Sequence, residues 1–289
     1  MTELVHLSHR RLAWRAFRRD RAAVLGLAIV LLAVLVSVAA PLLTTYSPTA
    51  GLIGDRLLPI ASPGHPLGTD GQGRDILTRL LYGGRLSLPT AVVPVAVLFP
   101  ITLVLGIVAG YVRGVAGEIV LRILDILFAF PLVLLAMAIA AVLGAGLGNV
   151  MIAISVALLP YMTRVAYAAT VQEAAKGYVE AARAAGQSHP SIVLRELLPN
   201  AVSSLVVYAT TMCGTMIITA AGLSFLGVGV TPPQPDWGVM TADGSGVLLE
   251  GHLHVASIPG LAILLVALAF SLIGDGLRDA LDPRKQTLR

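Results

Sequence analysis

Five stretches of the chain carry no charged side chain: residues 22–54, 86–112, 126–163, 197–235 and 251–274. A helix that crosses a bilayer takes about 20 predominantly apolar residues, so each stretch is long enough for one crossing. The 126–163 stretch holds two, because Gly144-Ala145-Gly146-Leu147-Gly148-Asn149 supplies a turn in its middle. In 197–235 the helix runs to about Ala221 and then gives way to a loop rich in glycine and proline. The pattern predicts six membrane helices, over 23–43, 88–112, 120–143, 150–169, 200–221 and 258–276. The fold class is therefore an all-α polytopic membrane protein. Two amphipathic helices are expected outside the spans. His9 to Arg21 can lay Leu12, Trp14 and Phe17 on a membrane surface, and Asp75 to Arg85 can lie against the bundle with Ile76, Leu77, Leu80 and Leu81 on one side. Pro94, Pro100, Pro131 and Pro160 fall inside predicted spans, where each removes a backbone donor and kinks its helix.

Composition supports this reading. Of 289 residues, 56% are hydrophobic and only 12% charged, against about 25% charged in an ordinary soluble domain. So few charges cannot cover a soluble surface of this size. The charges also set an orientation. With the N-terminus inside, the inner segments hold 16 of the 20 Lys and Arg residues, and the outer ones only Arg56, Arg74, Arg79 and Arg85. Positive loops stay in the cytoplasm, so both termini are expected there. The sequence pI near 9.5 follows from this topology, and nucleic-acid binding is not implied. Ser37-Val38-Ala39-Ala40 has the small residues of a signal-peptide cleavage site, but the apolar run before it exceeds the 7–15 residues of a signal core. An anchoring helix is expected instead. The resulting organisation is a basic segment 1–22, a first span 23–43, an outer loop 44–87, a five-helix core 88–276 and an inner tail 277–289.

One inner segment is unlike the rest. Tyr178-Val179-Glu180-Ala181-Ala182-Arg183-Ala184-Ala185-Gly186 is a charged, alanine-rich stretch set between two spans, and Leu197-Leu198-Pro199-Asn200 follows it. It resembles the cytoplasmic coupling loop of ABC-importer permeases, departing from that pattern at Glu196, where a histidine is usual. Three further segments resemble one group in that family. They are His65-Pro66-Leu67-Gly68-Thr69-Asp70-Gly71-Gln72-Gly73-Arg74-Asp75, then Leu223-Ser224-Phe225-Leu226-Gly227 with Asp236-Trp237-Gly238, and Gly274-Asp275-Gly276-Leu277-Arg278 near the end. The combination is similar to the second, C-type permease of dipeptide, oligopeptide and nickel importers.

The resemblance implies a type I importer fold with six transmembrane helices. It implies a path for peptides formed with a sister permease, one or two ABC ATPase subunits and an extracytoplasmic substrate-binding protein. Nickel or another small solute is the alternative cargo. It also implies ATPase-coupling roles for Tyr178, Glu180, Ala181, Ala182, Arg183, Gly186 and Pro199 in a coupling loop of about 170–198. No cofactor is expected on this chain, and ATP and Mg belong to the ATPase subunits. On the residues themselves, Thr170 to Glu173 has the spacing of a capping box. Gly186 suits a helix-ending position with φ > 0, and the face of Ala181, Ala182 and Ala185 is smooth enough to enter a groove.

Other charged residues are candidates for gating or structural roles. Asp70 and Asp75 are expected to pair with Arg74 and Arg79. Arg122 and Asp125 stand three apart on one helix face, where they can pair and snorkel to the interface, and Asp275 can pair with Arg278. Enzyme chemistry is disfavoured. The segment Gly222 to Gly227 spaces its serine as G-x-S-x-x-G rather than G-x-S-x-G, and no histidine lies in a predicted span. His252 and His254 have only Glu250 and Asp243 nearby to complete a metal site. The two lysines, Lys176 and Lys285, follow no phosphate-binding glycine motif. Cys213, the only cysteine, is expected to be an inert core residue.

Overall fold

The computed structural model describes residues 9–112 and 114–281. Residues 1–8, Arg113, the tail from Asp282 onward and the side chains of residues 9–12, Leu12 among them, lie outside the described residues. The chain is helical, in the order α1 (His9–Arg19), α2 (Arg21–Val38), α3 (Ala40–Leu43), α4 (Ile76–Ile107), α5 (Gly114–Phe128), α6 (Leu132–Leu143), α7 (Leu147–Ala174), α8 (Gly177–Ala184), α9 (His189–Ile192), α10 (Leu198–Phe225), α11 (Trp237–Ser245) and α12 (Leu253–Leu281). Among the described residues, five helices are long and apolar enough to cross a membrane. The pair α5 and α6, bent by 88°, makes a sixth when taken together as one broken span.

Three departures from the sequence pattern have local causes. The third span is broken rather than kinked. Ala129, Phe130 and Pro131 separate α5 from α6, and Pro131 is the N-cap of α6, as a residue that offers no N–H favours. The helix expected over Asp75–Arg85 is not separate but forms the opening turns of α4. Asp75 caps it, its Oδ2 accepting from the backbone N–H of Thr78 at 2.7 Å. At 1.5 Å per residue, the 32 residues of α4 span about 48 Å, well beyond the roughly 30 Å hydrocarbon core. The capping box at Thr170 does not form. Thr170 is buried inside α7 and donates to the Ala166 carbonyl at 2.8 Å, so the helix runs on to Ala174.

α4, α7, α10 and α12 form the centre of the bundle, with α2 against α12. Small residues let backbones approach, as in other membrane bundles. A Cβ on Gly106 would lie 2.5 Å from that of Ala166, and one on Gly274 would collide with the Thr211 hydroxyl. α1 packs on α12 and α2 through Phe17, which is buried, while Trp14 is exposed. Only Trp14 of this pair is therefore free to touch a lipid surface.

A further helix, α11, sits in the segment read as a loop. Asp236 caps it, accepting from Gly238 and Val239 N–H groups at 2.9 and 3.2 Å. Its other oxygen accepts from the Ser87 hydroxyl of α4 at 2.6 Å. The Trp237 indole N–H donates to the Leu80 carbonyl at 2.9 Å. These bonds fasten α11 to the opening turns of α4.

Candidate functional site

The segment expected to be a coupling loop lies at the end of the bundle where α4 finishes, with Arg183 against Tyr111 just beyond that helix. α8 begins after Lys176 and ends in a Schellman cap. The Gln187 N–H donates to the Ala182 carbonyl at 3.1 Å and the Gly186 N–H to the Arg183 carbonyl at 3.0 Å. Gly186 has φ +78°, a conformation a side chain strains, although the space around its Cβ direction is open. Val179 and Ala182, three residues apart, face the bundle and are buried. Gly177, Glu180, Ala181, Ala184 and Ala185 are exposed. The smooth outer face is therefore made by Ala181, Ala184 and Ala185, and Ala182 belongs to the inner one.

Two side chains tie α8 to the helices around it. The Tyr178 hydroxyl donates to Glu173 Oε2 in α7 at 2.8 Å and accepts from Asn200 Nδ2 in α10 at 3.2 Å. Partial burial, then the hydrogen bond to the Glu173 carboxylate, pushes this phenol up to about 12. The Arg183 guanidinium lies 5.2 Å from the ring centroid of Tyr111, and the Tyr111 hydroxyl lies 3.0 Å from His189 Nδ1. Arg183 is thus turned to the π-helical end of the second span (Val108–Val112) rather than outward, leaving Glu180 as the charge displayed beside the alanines. Pro199 is exposed in the first turn of α10, where its missing N–H costs nothing.

The other end of α4 carries a buried ionic cluster. Arg74 and Arg79 are each about 1% exposed. Arg74 Nε donates to Asp70 Oδ2 at 2.6 Å, and its Nη2 to Asp243 Oδ2 at 2.8 Å. Arg79 reaches the same two carboxylates at 3.5 Å and the Pro48 carbonyl at 3.2 Å. Asp75 takes no part in these pairs. It bonds His65 Nδ1 at 2.9 Å and the Thr78 hydroxyl at 2.7 Å. The local pairing expected for Asp75 is therefore replaced by a histidine contact, and Asp243 of α11 is a partner that sequence adjacency could not supply. Two guanidinium groups against two carboxylates leave the cluster neutral, the condition under which buried charges persist.

The remaining candidates do not pair as their spacing suggests. Asp125 accepts from Arg164 Nη2 of α7 at 2.5 Å, not from Arg122. Both partners are partly exposed, and the Arg164 guanidinium also covers the Phe128 ring at 4.2 Å. Among the described residues Asp275 forms no ion pair with Arg278, and both are exposed. Those residues also contain no group of three or more His, Cys, Asp or Glu side chains able to hold a metal. His254 Nε2 lies 3.1 Å from the Leu58 carbonyl. The Ser224 hydroxyl accepts from the Val230 N–H at 3.4 Å in the turn that closes α10.

Comparison with known proteins places the chain. Residues 102–287 match the family described as "Binding-protein-dependent transport system inner membrane component", and residues 8–59 match the "N-terminal TM domain of oligopeptide transport permease C". The glutathione transport system permease protein GsiD of Pectobacterium atrosepticum is 43% identical, over 94% of this chain and 90% of that protein. Its counterparts in Escherichia coli O6:K15:H31 and Shigella boydii are 42% identical, over 94% of this chain and 89% of theirs. A solved structure of the methionine ABC transporter MetNI in an inward-facing conformation shares the fold. Its TM-score is 0.56 at 23% identity, over 70% of this chain and 96% of that one.

Proposed function

Because the chain belongs to the binding-protein-dependent inner-membrane permeases, as the C-type permease of the dipeptide, oligopeptide and nickel ABC importers, we propose that its cargo is a small peptide, of the size of glutathione or a di- or oligopeptide. It is a multi-pass inner-membrane transporter subunit that works with a partner permease and with separate ATPase subunits. The peptide reading is supported by the 43% identity to a glutathione permease across nearly the whole chain. In the proposed assembly the partner permease is a different, sister chain, one or two ATPase chains bind at the α8 end, and a substrate-binding protein delivers cargo at the α11 end. Both termini are then cytoplasmic, on the side of α8.

The observation that carries the mechanism is the geometry of α8. Ala181, Ala184, Ala185 and Glu180 stand free, while Tyr178 and Arg183 fix the helix to α7, α10 and the end of the second span. In the proposed cycle α8 seats in a groove of an ATPase subunit, and ATP-driven closure of the ATPases moves α8, which carries α7 and α10 with it. The ligand shifts the equilibrium between inward- and outward-facing states only by its differential contact with them. ATP and Mg act on the ATPase chains. The test is uptake by liposomes holding the whole complex, with the binding protein added outside. ATP-dependent uptake of glutathione or dipeptides is expected. Nickel uptake without peptide uptake would overturn the cargo assignment, and no ATP-dependent uptake of any solute would overturn the transport assignment.

A further inference from the structure

An apolar groove of about 430 Å³ opens between α2 and α4, lined by Val34 and Val38 on one side and Leu88, Pro89, Val92 and Val93 on the other. The helices touch at one end of it, where a Cβ on Gly84 would collide with the Ser37 hydroxyl. That hydroxyl donates to the Ala33 carbonyl at 2.7 Å, so the groove presents no free donor there. Ser37 lies in the last turn of α2. The 18 residues of α2 cover about 27 Å, close to the hydrocarbon thickness, so this end of the groove is level with a membrane boundary. Arg85 follows Gly84 and stands at the groove mouth. Its side chain is exposed, 5.8 Å from the Tyr82 ring centroid, and it joins none of the ion pairs found among the described residues. Arg74 and Arg79, a few residues earlier, are by contrast buried against carboxylates.

We propose that this groove seats an acyl chain of an anionic phospholipid whose phosphate rests on the Arg85 guanidinium. Two observations select this occupant. The first is charge: an unpaired cation at a membrane boundary favours an anionic headgroup. The second is shape. From Arg85 to Val93 is eight residues, or about 12 Å of helix. A groove of that length, walled by valine, leucine and proline side chains with no free donor at its end, matches the headgroup-proximal part of a hydrocarbon chain. The lipid would wedge α2 against α4 at the end where the ionic cluster and α11 are attached.

The test uses the complete complex in nanodiscs of equal phosphatidylglycerol and phosphatidylcholine, with retained lipid counted by native mass spectrometry. The wild type is expected to keep phosphatidylglycerol in preference to phosphatidylcholine. Arg85→Gln should cut that preference roughly fivefold, the worth of one cation near an anionic surface, and Arg85→Lys should keep most of it. Val92→Trp should fill the groove and abolish retention of both lipids, with recovery of the sister permease unchanged. Should Val92→Trp fail to fold, the Arg85→Gln and Arg85→Lys pair decides alone. Equal retention by Arg85→Gln and wild type overturns the proposal. So does loss of the sister permease, rather than of lipid, from Val92→Trp, which would assign the groove to a protein partner.

Discussion

At the Ile76 end of α4, two arginines and an aspartate are packed away from water around a half-buried fourth charge, Asp243. Beyond the other end, Glu180 of α8 is exposed, while Arg183 lies against the Tyr111 ring. The same helix joins both, yet the physics differs. Buried charges gain their stability from one another and lose it together, because each unpaired partner keeps its full desolvation cost. Exposed charges contribute little to folding and are free to be spent on a partner. The comparison teaches that the first region holds this chain together, while the second is free for the ATPase contact proposed above.

Removing one member of the buried cluster is the strongest way to break that contrast. Arg74→Met leaves Asp70 and Asp243 facing a weakened cation set, and the solubilised complex is expected to lose about 3–5 kcal/mol, read as a collapse of its thermal midpoint and yield. Asp243→Asn sharpens the point. Its carboxylate is 30% exposed, so water offsets part of the loss, and about 1–2 kcal/mol is expected. A fall as large as that of Arg74→Met would mean that Asp243 is not screened. Next comes Trp237→Phe, which deletes the indole bond to the Leu80 carbonyl and should cost about 1 kcal/mol by loosening α11 from α4. Proteolysis within 226–236 should become faster while cleavage near α8 is unchanged. The smallest effect belongs to the exposed end. Tyr178→Phe removes hydrogen bonds to Glu173 and Asn200, yet should change the thermal midpoint by no more than about 1 kcal/mol allows, with a measurable drop in the coupling of ATP hydrolysis to uptake.

Parts of this contrast are legible in the sequence, and parts are not. The spans follow from uncharged runs, because a bilayer punishes charge wherever it falls. The cap at Gly186 follows from local chemistry, since glycine alone enters φ > 0 freely. The same chemistry in Asp236-Trp237-Gly238 could have announced α11, an aspartate N-cap before a short helix, but a nine-residue helix among glycines and prolines has no apolar period to reveal it. Pro131 shows a different limit. A proline in a run of apolar residues looks the same whether it kinks a helix or ends it, and only packing chooses the 88° break. Ala181 and Ala182 are chemically identical, so their inner and outer faces could be separated only by Val179, three residues before the buried alanine. The ion pairs were hardest. Arg122 with Asp125 and Asp275 with Arg278 are neighbours along the chain, whereas Asp125 to Arg164 crosses from α5 to α7 and Arg74 to Asp243 reaches from the loop before α4 to α11.

The central claim is that α8 transmits force to the spans without stabilising them. The measurement that tests it most directly is substrate-stimulated ATP hydrolysis by the full complex carrying Glu180→Lys, with Gly186→Pro as a second variant, and complex recovery on the same preparations. Glu180 is exposed, and an exposed substitution ordinarily moves stability by less than about 0.5 kcal/mol. The account predicts that Glu180→Lys inserts, pairs with the sister permease and melts like the wild type, but loses stimulated hydrolysis and uptake. Gly186→Pro, which breaks the cap through both φ and the missing N–H, should lose the same two activities. Full substrate-stimulated hydrolysis and uptake in both variants would contradict the account.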